Sequence, residues 1–182
     1  MMKQWLVKFE NTNTQPYEDW LSTADKTEVS TNDRSTQGGS RQWNFNKENE
    51  KDELGKLFFE RMKYIEEIKQ YPLKEITGAW YVEGNQNAYH RLHNHTQTKV
   101  GAPMFDGLSC LLYLEVPDAK DTGEFYFLIK HDDGTIRKST IMPKKGDMIV
   151  MPKTIFHGVY PQSSIGMRRT LNIDFNIYEK NN

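Results

Sequence analysis

From residue 75 to residue 178 the chain runs as short apolar or alternating segments separated by turn signals. The segments are 76–83, 89–95, 108–116, 124–129, 135–141, 147–151, 158–160 and 168–178. Gly84-Asn85, Pro117-Asp118, Asp133-Gly134, Lys145-Gly146 and Pro161 break them. Strand-length runs at this spacing suit an antiparallel sandwich or barrel and leave little room for a helical or α/β fold. The expected fold class is mainly β with a supporting helix and a jelly-roll core.

One stretch has the other period. Leu54, Leu57, Phe58, Met62, Ile65 and Ile68 recur three and four residues apart, which predicts a helix over 47–70 with one apolar face. Gly55 weakens it locally and Pro72 ends it. The stripe reads as core packing and carries no chemistry. Ahead of it lie an expected strand at 4–10, a short piece around 17–21, and a polar segment over 22–42 that holds Gly38-Gly39. That segment reads as a long loop, either a lid or a loose insert. Residues 1–74 thus supply a strand, a polar loop and a supporting helix, residues 75–182 the jelly roll, and together they form one expected domain.

Composition excludes several classes. The 182 residues carry 24 basic and 25 acidic side chains, so a large basic groove for nucleic acid is not expected. Aromatic residues make up 12%, more than a disordered chain holds. Cys110 stands alone, so no intrachain disulfide forms, which fits a reducing compartment. The first residues lack a signal-peptide pattern, and no run approaches the roughly 18 apolar residues of a membrane span. A cytoplasmic protein with no membrane partner is expected.

Histidines carry the chemical signal. In Tyr89-His90-Arg91-Leu92-His93-Asn94-His95, positions 93 and 95 share one face of an extended strand and can present two imidazoles to one metal ion. His157 follows the apolar run 146–152, which reads as a buried strand whose end delivers a third ligand. His90, three residues before His93, falls on the opposite face. His131 sits in a hairpin turn and is expected in solvent. Arg168, Thr170, Asn172, Asp174 and Asn176 share one face of the last strand, opposite Leu171, Ile173 and Phe175. A buried arginine on a cavity-lining face is a carboxylate clamp, and Arg168 is preferred over Arg169.

The order of these pieces over 80–176 resembles the iron(II)/2-oxoglutarate-dependent oxygenases, in particular the prolyl-4-hydroxylase-like group. The matching parts are Trp80-Tyr81, the Tyr89 to His95 segment, Ser109 to Leu114, Gly123-Glu124-Phe125, the 146–152 strand, His157 and Arg168. The resemblance implies a double-stranded β-helix core with Fe(II) held by His93, His95 and His157, and 2-oxoglutarate as cosubstrate. It assigns the distal carboxylate of 2-oxoglutarate to Arg168 with Tyr113, and places Tyr81 on the wall of the cosubstrate pocket. It further implies that oxidative decarboxylation of 2-oxoglutarate by O2 is coupled to hydroxylation of a protein, peptide or small-molecule substrate, with a peptidyl proline as the analogy.

One departure stands out. The family pattern has a carboxylate where His95 stands, so the site is one unit more positive. Asp106 is the nearest downstream carboxylate and is not expected to serve. Three-histidine sites also resemble cupin-type dioxygenases or isomerases that do not use 2-oxoglutarate. A non-catalytic jelly-roll binding module is a third reading. The segments 22–42 and 96–107 are expected to face the substrate.

Overall fold

A computed structural model describes residues 4–30, 36–69, 73–96, 107–117 and 123–177. In chain order the elements are β1 (Val7–Phe9), α1 (Gln15–Thr23), β2 (Lys26–Glu28), β3 (Thr36–Gln37), β4 (Ser40–Phe45), α2 (Glu48–Met62) and α3 (Glu66–Lys69). There follow β5 (Leu73–Gly84), β6 (Tyr89–His93), β7 (Gly107–Glu115), β8 (Phe125–Lys130), β9 (Ile136–Ile141), β10 (Met148–Pro152), β11 (Phe156–Val159) and β12 (Arg168–Ile177). Among the described residues no helix is long and apolar enough to cross a membrane.

The strands form two antiparallel sheets. The larger has the order β1-β10-β7-β12-β5-β4-β2 and the smaller β3-β6-β11-β8-β9. From β5 onward the chain passes back and forth between them, with only the β8–β9 hairpin staying in one sheet. That alternation is the double-stranded β-helix, and it places residues distant in sequence on facing walls of one barrel.

Burial explains the sequence patterns. β7 and β10 are buried along nearly their whole length, because the larger sheet is covered on both faces. Such strands read as continuous apolar runs. One face meets the helices through a cluster that joins Leu54, Phe58, Met62, Ile65 and Ile68 to Cys110, Leu112, Leu171 and Phe175. The other meets the smaller sheet through Leu111, Tyr113, Phe125, Ile149, Met151 and Ile155.

Several expectations are corrected here. The predicted helix over 47–70 is two helices, broken at Lys63–Ile65, although Leu54, Phe58, Met62, Ile65 and Ile68 are buried as expected and Leu57 partly so. Gly55 is where the helix meets the sheet: a Cβ there would stand 2.6 Å from Ile76 Cδ1. The piece around 17–21 is helix α1, with Pro16 in its first turn. The polar 22–42 segment is not one long loop. β2, at the sheet edge, pairs with β4, β4 pairs with β5, and β3 pairs with β6. Backbone pairing supplied what the polar side chains did not announce.

Candidate metal centre

His93 ends β6 and stands directly across from His157 on β11. His95 follows two residues later, held by its main-chain N–H donating to the Lys153 carbonyl at 3.0 Å. Lys153 belongs to the turn that carries the chain from β10 in one sheet to β11 in the other. This crossing brings the three imidazoles together. Their ring centroids lie 5.1 Å apart (His93–His95), 4.5 Å (His93–His157) and 5.0 Å (His95–His157). One ring nitrogen from each lies within 4.8 Å of those from the other two.

Every Nδ1 has an oxygen partner. That of His93 lies 2.7 Å from the Arg91 carbonyl and that of His157 3.0 Å from the Ile155 carbonyl. His95 Nδ1 lies 2.9 and 2.8 Å from the two oxygens of Asp174, and Ser109 Oγ is 3.2 Å away. A carbonyl accepts only, so Nδ1 of His93 and His157 carries the proton and Nε2 is left with a lone pair. His93 and His95 Nε2 face each other at 3.2 Å, where two lone pairs repel unless a proton or a cation lies between them. Burial, reinforced by the neighbouring imidazoles, pulls the pKa of His93 down and that of His157 well below the usual value. A set of three inward-facing imidazole nitrogens within 4.8 Å of one another fits a divalent transition metal.

The histidines share a narrow cavity with Trp80, Leu111, Tyr113, Phe125, Arg168 and Asn172. Its free volume is about 30 Å³, room for a couple of waters at ~10–15 Å³ each. A larger cleft of about 650 Å³ lies outside, between α2, α3 and β5, without convergent catalytic groups. The chemistry is in the narrow cavity.

Arg168 is only 5% exposed and has no ion-pair partner among the described residues. Its one side-chain hydrogen bond there is long, Nη1–H to the Gly123 carbonyl at 3.5 Å. Burial lowers its pKa, opposed by the nearby Tyr113. Tyr113 Oη is buried with no hydrogen-bond partner among the described residues, and burial raises its pKa. Arg169 faces the other way and pairs with Glu83 at 3.3 Å and Glu115 at 2.9 Å.

Two expectations about side-chain direction fail. Tyr81 does not line the cavity. It lies on the helix-facing side of β5, packs at a tilt against Trp43 with centroids 5.4 Å apart, and donates to Glu83 Oε1 at 2.7 Å. Strand alternation gives the cavity to Trp80 instead, whose ring stands 5.4 Å from that of His95. His90 does not point away either. Pairing runs His157↔His93 and then Val159↔His90, so β6 spends three steps where β11 spends two. This bulge reverses the alternation and turns His90 into the cavity beside Arg168. His131 lies in an exposed turn. Asp106 and residues 97–106 of the predicted substrate-facing segment fall outside the described residues. The sequence reading also missed the contact of Asp174 with His95, although it put Asp174 on the same strand face as Arg168.

Fold and site together define a double-stranded β-helix with a three-histidine cluster and a buried arginine in one cavity. No family model matches the chain, and no curated protein matches it. Solved structures do. A Pseudomonas putida prolyl-4-hydroxylase superposes with a TM-score of 0.61 at 13% identity, covering 97% of this chain and 94% of that one. HygX from Streptomyces hygroscopicus, with nickel and 2-oxoglutarate bound, gives 0.65 at 11% identity, covering 96% and 83%. A prolyl hydroxylase from Trichoplax adhaerens, in complex with a hypoxia inducible factor oxygen degradation domain peptide fragment, gives 0.64 at 11% identity, covering 94% and 83%. The fold is that of the iron(II)/2-oxoglutarate oxygenases.

Proposed function

We propose that the protein is a non-haem iron(II) oxygenase that uses 2-oxoglutarate. The observation that carries this reading is the pairing, in one cavity, of three inward-facing imidazoles with a buried arginine and a tyrosine hydroxyl that has no partner among the described residues. A cupin-type enzyme has no need of a buried carboxylate clamp. The fold of solved 2-oxoglutarate enzymes points the same way.

In this reading His93, His95 and His157 hold the iron through Nε2. When bound, the metal supplies O2 activation coupled to loss of CO2 from 2-oxoglutarate. The chain's own residues do the rest. The Arg91 and Ile155 carbonyls fix two imidazoles in the ligating tautomer. Arg168 would pair with the far carboxylate of the cosubstrate, and Tyr113 Oη would donate to the same carboxylate. Leu111, Phe125 and Val159 keep water from that end of the cavity. The cavity is too narrow for a dicarboxylate as it stands, so binding parts its walls. Prolyl hydroxylases among the similar structures make a peptidyl proline the first substrate to try.

Anaerobic titration of the iron(II)-loaded protein with 2-oxoglutarate tests the proposal. Bidentate chelation gives a visible charge-transfer band, which must weaken in Arg168→Ala. Iron binding without a band would favour the three-histidine cupin-type reading. No iron binding would remove the enzyme reading altogether.

A further inference from the structure

His95 stands where the resembled family has a carboxylate, yet a carboxylate lies directly behind it. Both oxygens of Asp174 are within 2.9 Å of His95 Nδ1. Asp174 is 8% exposed, and His95 is its only ion-pair partner among the described residues. The position is rigid. β12 lies in the middle of the larger sheet, and Asp174 pairs across to Ser109 on β7 and Gly78 on β5. Ser109, the strand neighbour, also puts its hydroxyl at His95 Nδ1. Two central strands thus aim oxygen at the far nitrogen of one imidazole and at neither of the other two. Among the described residues no carboxylate belongs to the metal-ligating cluster itself.

We infer that Asp174 is a positioning residue of the metal centre, delivering through the His95 imidazole the negative charge that a directly coordinating carboxylate would supply. The inference rests on the metal reading above and adds a role for a residue outside the ligand set. A carboxylate that accepts the Nδ1–H fixes the proton on that nitrogen, aims the Nε2 lone pair into the cluster and raises its basicity. Three neutral imidazoles plus one buried carboxylate carry the same formal charge as two imidazoles plus a ligating carboxylate. The site should therefore prefer a divalent cation.

The test uses the full chain with Asp174→Asn, His95→Asp and the double variant. Iron(II) and cobalt(II) affinities are measured by anaerobic competition, and the His95 tautomer by nitrogen-15 NMR of metal-free protein. Wild type should show the proton on Nδ1 of His95. Asp174→Asn should weaken metal binding by about 10–100-fold. In the His95→Asp background the same change should leave affinity unchanged or improve it, because two adjacent carboxylates then no longer repel. Equal affinity of wild type and Asp174→Asn overturns the inference while leaving the metal reading intact. Should Asp174→Asn fail to fold, a proton on Nε2 of His95 in wild type overturns it. Wild type that binds neither ion sinks both.

Discussion

His157 and His93 face each other across the β6–β11 ladder, their rings 4.5 Å apart, at the one place where the pairing is about to slip by a residue. Each imidazole leans on the carbonyl two positions earlier in the chain. Replacing His157 by Ala removes one ligand and leaves that geometry unfilled. Iron(II) binding in His157→Ala is expected to fall below detection in equilibrium titration. The metal-free variant should still melt cooperatively, destabilised by about 1–3 kcal/mol for a buried side chain lost.

Arg168 should behave as a cosubstrate residue. Its guanidinium is buried without a protein carboxylate among the described residues. Arg168→Ala is expected to raise the KM for 2-oxoglutarate by roughly 10–150-fold, the equivalent of about 1.5–3 kcal/mol for charged hydrogen bonds. Metal affinity should stay unchanged. Arg169→Ala, which removes only surface pairs, should leave both constants near wild type.

Tyr113→Phe separates a ligand contact from a structural one. The hydroxyl has no partner among the described residues, so its removal should not destabilise the metal-free protein. The KM for 2-oxoglutarate should rise by about 10–150-fold, matching one hydrogen bond to a charged carboxylate of ~1.5–3 kcal/mol. Melting temperature and steady-state kinetics together check both halves.

Gly158 sits against the bulge that turns His90 inward. A Cβ there would stand 2.9 Å from the His90 carbonyl oxygen and 2.4 Å from Tyr126 Oη. Tyr126 can swing away, but the carbonyl belongs to the backbone. Gly158→Ala is expected to cost about 1–3 kcal/mol in denaturant unfolding. It should also weaken metal binding, because β6 carries His93.

Metal-free stability should fall in mild acid. Burial holds His90 and His157 well below the ordinary histidine pKa; Arg168 adds to the effect at His90 and the neighbouring imidazoles at His157. The folded state therefore binds fewer protons than the unfolded chain once pH drops below about 6.5. Stability is fully present above that pH and declines below it. Thermal melts of chelator-treated protein should show a lower midpoint at pH 5.5 than at pH 7.5. His90→Gln should reduce the difference.

The spacing of apolar runs after residue 75 announced the β architecture because strands buried on one or both faces leave period-two or continuous apolar patterns. Arg168 and Asp174 were visible as one face of one strand for the same reason. The helix stripe from Leu54 to Ile68 was legible, although its break at Lys63–Ile65 was not. β2, β3 and β4 were invisible because strands at and next to a sheet edge are held by main-chain hydrogen bonds, which polar side chains do not reveal. Tyr81 and His90 were misdirected for different causes. Tyr81 belongs to the helix-facing side of its strand, and the bulge in β6 upset the alternation that assigned His90.

By itself the sequence determined the fold class and the residue types available for a metal centre, since local periodicity records which faces must leave water. Only the tertiary structure decided which side chains meet. His157 reaches His93 because β11 pairs with β6, and Asp174 reaches His95 because a central strand of the opposite sheet passes behind it. Those meetings depend on strand order and register, properties of the whole barrel that no local stretch of sequence encodes.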